Sequence, residues 1–229
     1  MTAPQLTLDA QHRYWLSCPL GPRQLPGVTS MIRTFFPMAW EPAEFYKGRG
    51  TAIHSAIHLE AQGKLDYGRW AQDVRDSQPQ DSADVILNKF GAYRRFVIET
   101  KFKPVHSEMA MHSAKLHYAG TIDAVGVFGD DPTWVLVDYK SSCDLLALIL
   151  QLGLYSLLYS EDTGARPTKV AGLILKDDGN YKLVWGTRNP VRDNAKFNLS
   201  DAENAGRNLV SLYSLKQKYQ PTTTKDTAP

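Results

Sequence analysis

The sequence predicts an α/β fold: a mixed β-sheet flanked by helices, with a mainly helical N-terminal part. Two observations predict it. Over the first hundred residues apolar positions recur at helical spacing, and from residue 104 they switch to the two-residue period of strands. A long apolar helical run, "LLALILQLGLYSLL", then separates three strand candidates from two more, a pattern that points to a sheet covered by helices. A chain of 229 residues, 43% hydrophobic, is enough for one domain. We place that domain at 1–219, with 1–103 mainly helical, 104–190 as sheet and helix, 200–219 as a last helix and 220–229 as a disordered tail.

In order along the chain, residues 12–30 read as a short strand and turn, with Thr29 or Ser30 placed to cap a helix starting near Met31 and Pro37 placed to end it. Residues 49–62 and 84–100 have helical spacing, the second with Val85, Leu87, Phe90, Tyr93 and Val97 on its packing face. Strands at 104–111, 118–128 and 133–142 are joined by the turns "SAKL" and "GDDP" into a β-meander. A helix over 144–160 follows, then two strands around a turn at 177–180, then a helix over 201–219. The run at 145–158 is too short to span a bilayer and carries Gln151 at its centre, so it is expected inside the protein, with no membrane partner.

The net charge of +2 announces no nucleic-acid partner by itself, so any basic surface is local. Two cysteines, Cys18 and Cys143, cannot build a four-thiolate cluster, and no secretory signal is legible; an intracellular, reducing setting is expected.

The strand "WVLVDYKSS" poses the functional question. Asp138 and Lys140 lie on one face of a strand otherwise suited to burial. If "GDDP" is a four-residue hairpin loop, Phe128 pairs with Thr133 and Asp123 falls opposite Asp138, where like charges are destabilising unless a cation sits between them. The same counting across "SAKL" pairs His112 with His117 and sets Glu108 opposite Thr121, diagonal to Asp123. Hard divalent cations take oxygen ligands, and a carboxylate pair suits Mg²⁺. Lys140 is then placed to serve a water attacking phosphorus.

These residues resemble the PD-(D/E)XK nuclease superfamily, and within it the RecB-like exonucleases, the type without an iron–sulfur cluster found in phages and in mitochondrial genome maintenance. The resemblance rests on "GTAIH", "SE", "GTID", "DYK" and "QLGLY", in the family's order over about residues 25–160, with "LPGVTSMI" ahead of them. It implies a restriction-endonuclease-like mixed sheet and a Mg²⁺- or Mn²⁺-dependent DNA exonuclease of recombination, repair or phage DNA processing. Asp123, Asp138 and the Tyr139 backbone carbonyl would hold the metal, with His54 approaching and Glu108 supporting. Lys140 would position the water, and Gln151 with Tyr155 would orient Lys140 or a substrate phosphate. The implied partners are DNA, as single strands or duplex ends, and a recombination protein, in the cytoplasm of a bacterium or phage-infected cell.

Other readings stay open. An endonuclease of the same superfamily or an inactive DNA-binding module would carry the same fold, and His54 with His58, spaced i, i+4, could instead hold zinc. Ser141 and Ser142 could contact a phosphate or begin the cap of the next helix. Arg94, Arg95, Lys101 and Lys103, and Lys169, Lys176 and Lys182, are local basic groups, and Phe35, Phe36 and Trp40 could stack on bases.

Overall fold

The computed structural model describes residues 5–9, 11–19, 21–36, 44–142 and 144–220, without the side chains of 44–47. Pro37, Trp40, Cys143 and residues 221–229 of the expected tail lie outside them. Three short strands, β1 (Leu6–Leu8), β2 (Tyr14–Leu16) and β3 (Arg23–Leu25), form a small antiparallel sheet. Helix α1 (Val28–Phe35) follows, then α2 (Glu44–Ala61), α3 (Tyr67–Ser77) and α4 (Gln80–Thr100). The main sheet holds β4 (Phe102–Ser113), β5 (Tyr118–Phe128), β6 (Asp131–Lys140), β7 (Lys169–Leu175), β8 (Tyr181–Thr187) and β9 (Phe197–Asn198), in that spatial order. Helix α5 (Leu145–Thr163) crosses from β6 to β7, which makes that pair parallel, and α6 (Leu199–Tyr219) closes the chain.

The sheet has a hydrophobic cluster on each side. Leu136, Val170 and Val184 pack with Leu148, Leu152 and Leu158 of α5 and with α1 and α6. Val135, Val137, Tyr139 and Leu173 pack the other way, against Ile53 and Ile57 of α2 and Ile86, Phe90, Tyr93 and Phe96 of α4. Strand alternation therefore turns Asp138 and Lys140 toward the α5 side. Helix α5 is the one helix among the described residues long and apolar enough to cross a membrane, yet more than half of it is buried in the protein. Asp144 caps it by accepting from the Ala147 N–H at 2.9 Å, and Gly164, with φ +70°, ends it.

Several local expectations are corrected. Helix α1 starts at Val28 after Gly27, with no side-chain cap, so Thr29 and Ser30 lie inside it. Helix α3 and the small N-terminal sheet were not anticipated. The β5–β6 turn is tighter than four residues: Phe128 pairs with Asp131 around Gly129, whose φ is +57°. A shift beyond it restores the expected register, with Ala124 opposite Val137. Between β4 and β5 the register is two residues off expectation, since His112 pairs with Ala119 and Thr121 with Ala110.

Candidate metal centre

The site forms where β5 parts from β6. Their ladder ends at Ala124 and Val137. One step further Asp123 comes level with Asp138, and the Asp123 carboxylate, rather than a backbone carbonyl, accepts the Tyr139 N–H at 2.6 Å. Alternation also breaks in β5. Ile122 belongs to the cluster under α5, while Ala124, two residues on, belongs to the one under α4. Beside it in β4, Glu108 has φ +54°, a conformation that L-residues seldom adopt. The register on either side, Ser107 with Ala124 and Met109 with Ile122, sets Glu108 level with Asp123, not with Thr121.

Helix α2 adds His54. Ile53, Ala56 and Ile57 bury one face of the helix, and His54, beside them, meets Asp123, its Nδ1 3.5 Å from Asp123 Oδ1. One ligand atom each from His54, Glu108 and Asp123 lies within 4.8 Å of the others. Asp138, 1% exposed, stands outside that triplet: Lys140 Nζ is 2.6 Å from its Oδ2, and Gln151 Nε2 donates to its Oδ1 at 3.0 Å. The same Gln151 nitrogen approaches the Tyr155 hydroxyl at 2.8 Å. The structure thus joins Gln151 and Tyr155 to Asp138 rather than to Lys140.

The electrostatics are those of crowded acids. Removal from water, then the charges of Asp123 and Asp138, push the Glu108 carboxyl up to about 7, with His54 opposing. Burial pushes Asp138 up to about 6 against the pull of Lys140. Burial would raise Asp123 too, but His54, Lys140 and the Tyr139 N–H together outweigh it and hold its carboxyl low. His54 is the mirror case: burial favours the neutral ring, yet Asp123, as charge and as hydrogen-bond partner, outweighs it and raises the imidazole. Three carboxylates offer hard oxygen donors suited to a divalent cation, with an imidazole nitrogen beside them, and a cation there would relieve the repulsion that lifts Glu108.

The remaining candidates fall elsewhere. His58 has both ring nitrogens engaged, Nδ1 with Ser107 and Nε2 with Gln62, which leaves none for a zinc shared with His54. Arg94 is committed to Glu60, and Arg95 to Asn180. Phe35 packs against the α5-side cluster, while Phe36 stays exposed.

Sequence reasoning passed over Tyr14. Its hydroxyl lies 2.9 Å from Thr121 Oγ1, and it lines a cavity of about 780 Å³ between the small sheet, α1 and the main sheet, whose wall includes Gly120 and Tyr155. A Cβ on Gly120 would sit 2.8 Å from the Tyr155 ring, so only glycine admits α5 this closely.

A family model described as the PD-(D/E)XK nuclease superfamily matches residues 37–217. The chain belongs to the PD-(D/E)XK nuclease superfamily, and its mixed α/β architecture is the restriction-endonuclease-like fold of that group. The nucleases of this superfamily use divalent metals. Comparison with curated proteins finds no match.

Among solved structures, a candidate exonuclease from Eubacterium rectale is 13% identical, with 84% of this chain and 82% of that one covered and a TM-score of 0.46. The LHK-Exo exonuclease in complex with dAMP is 13% identical over 85% of this chain and 90% of its own, with a TM-score of 0.38. A further structure of this alkaline exonuclease, from Laribacter hongkongensis, is 14% identical over 65% and 89%, with a TM-score of 0.34. Membership rests on the family match, not on these distant likenesses.

Proposed function

We propose that the protein is a Mg²⁺- or Mn²⁺-dependent deoxyribonuclease that works as an exonuclease at DNA ends, in the recombination, repair or phage DNA processing of a bacterial or phage-infected cytoplasm. The observation that carries this reading is the gathering of His54, Glu108 and Asp123 within 4.8 Å, beside an Asp138–Lys140 pair at 2.6 Å. His54, Glu108 and Asp123 would hold the cation, with Asp138 and the Tyr139 backbone carbonyl completing the protein's share. When bound, a divalent cation supplies positive charge to the scissile phosphate and makes water more acidic.

The chain's own groups do the rest. Asp138 keeps the Lys140 ammonium in place, and Lys140 Nζ would hold the water that attacks phosphorus in line, the opposite P–O bond breaking as the new one forms and the water's proton passing to solvent. Gln151, bonded to both Asp138 and Tyr155, fixes the carboxylate in turn. Action at ends would use the cavity lined by Tyr14 and Tyr155, whose hydroxyls meet Thr121 and Gln151 beside the site.

The test is digestion of end-labelled single-stranded, blunt and circular DNA with Mg²⁺, alongside Lys140→Ala and Asp138→Ala. Linear DNA should be degraded from its ends and closed circles spared. Each variant should fall by about 10²–10⁴-fold, the range for loss of a positioned proton-handling group. Cleavage of closed circles would make the enzyme an endonuclease, and undiminished Lys140→Ala would remove the amine from the chemistry.

A further inference from the structure

Lys89 is a charged residue in the middle of an apolar helix face. It sits on α4 among Ile86, Phe90 and Tyr93, all buried, and is itself 5% exposed. Its ammonium has three donors. One goes to the Ser141 carbonyl at 2.7 Å, one to the Leu175 carbonyl at 2.8 Å, and Asp177 Oδ1 lies 2.6 Å away. The two carbonyls belong to the residues just beyond the last ladder pair of β6 and β7, Lys140 with Ile174.

That placement matters because β6 is weakly held at this point. Its ladder with β5 ends at Val137, so Asp138 to Lys140 have a continuous partner strand on one side only, β7. The Lys89 ammonium closes both strand ends together and ties them to α4. Asn88, its neighbour, donates to the Asp177 carbonyl at 3.0 Å and anchors the adjoining β7–β8 turn to the same helix.

We propose that Lys89 is a positioning residue for the nuclease reaction: by holding the Ser141 carbonyl it fixes the backbone one residue beyond Lys140, and so the direction from which the Lys140 amine approaches the reacting phosphate. The inference rests on the role given to Lys140 above. Misplacement of a reacting group by about 1 Å costs on the order of 10²-fold in rate.

The experiment compares wild type, Lys89→Met and Asp177→Asn in cleavage of end-labelled DNA with Mg²⁺, well below each protein's melting temperature. Lys89→Met keeps the length and apolar stem but no donor. Its kcat should fall about 10–100-fold, with KM for DNA unchanged. Asp177→Asn leaves both carbonyl contacts in place and should lower the melting temperature while keeping kcat within about two-fold. If Lys89→Met does not fold, Lys89→Gln takes its place, with an amide one bond shorter, and should show a smaller loss confined to kcat.

A folded Lys89 variant with wild-type kcat overturns the proposal, as does a kcat loss that merely follows melting temperature across all the variants. A wild type that cleaves nothing would instead sink the nuclease reading itself, whereas a fully active Lys140→Ala would remove the amine from the chemistry and with it the premise of the Lys89 proposal.

Discussion

Glu108 shows how a single residue reports on the proposed chemistry. It is held in a left-handed conformation at the edge of the site, and its carboxyl is raised to about 7, first by loss of water and then by Asp123. An acid whose pKa is higher folded than unfolded binds its proton more tightly in the native state, so stability falls as pH rises from about 4.5 to about 7 and stays reduced above. A divalent cation among the acids reverses that penalty. The rise in melting temperature on adding Mg²⁺ should therefore be larger at pH 8 than at pH 6, and Glu108→Gln should narrow the difference. Equal rises at both pH values in the wild type would mean that Glu108 does not face the ion.

At the scale of elements, α5 is decisive, and glycine sets how closely it can pack. A Cβ at Gly153 would run into the backbone carbonyl of Ala202 on α6, a contact that no rotamer change relieves. Gly153→Ala should therefore destabilise the protein by about 1–3 kcal/mol, the usual range for overpacking, read from denaturant unfolding. An unchanged midpoint would show that α5 and α6 separate easily.

The elements also explain what the sequence could and could not reveal. Strands β5 and β6 and helix α5 were legible because their apolar periods are long and their central residues are buried. The level pairing of Asp123 with Asp138 was legible too, although the turn that sets it was misjudged. The β4–β5 register was not, because the loop covers 114–117, one residue later than expected, and closes through His117 at φ +58°. Helix α3 escaped because it buries little beyond Ala71 and Val74, and of the three N-terminal strands only one short strand within 12–30 was read, because three residues show no period. Lys89 could have been noticed: it falls three residues after Ile86 and four before Tyr93, on the stripe that α4 turns to the core.

Across the whole molecule, Glu203 ties the second half together. Buried at 2% exposure on α6, it takes Arg188 after β8 at 2.6 Å, Arg166 after α5 at 3.2 Å and the Ser156 hydroxyl of α5 at 2.7 Å. Burial works against its charge, but Arg188, Ser156 and Arg166 outweigh it and lower its carboxyl. The sign is then that of an ordinary acid-sensitive group: the stabilisation is present above about 4.5 and is lost as pH falls below it. Glu203→Ala should cost about 3–5 kcal/mol at pH 7, as breaking a buried pair does, and should flatten the fall in melting temperature between pH 5 and pH 3. A variant as acid-sensitive as the wild type would place the weak point elsewhere.

The switch of β5 from one hydrophobic cluster to the other at Asp123 reaches further than local geometry. His54 arrives with the layer that covers one side of the sheet, and the Asp138–Lys140–Gln151 group takes shape only against the layer that covers the other. A nascent or partly melted chain with just one layer docked would lack either His54 or the aligned Lys140 amine. Competence to cut would thus require both layers to be docked, and a chain that has lost either one would be inert.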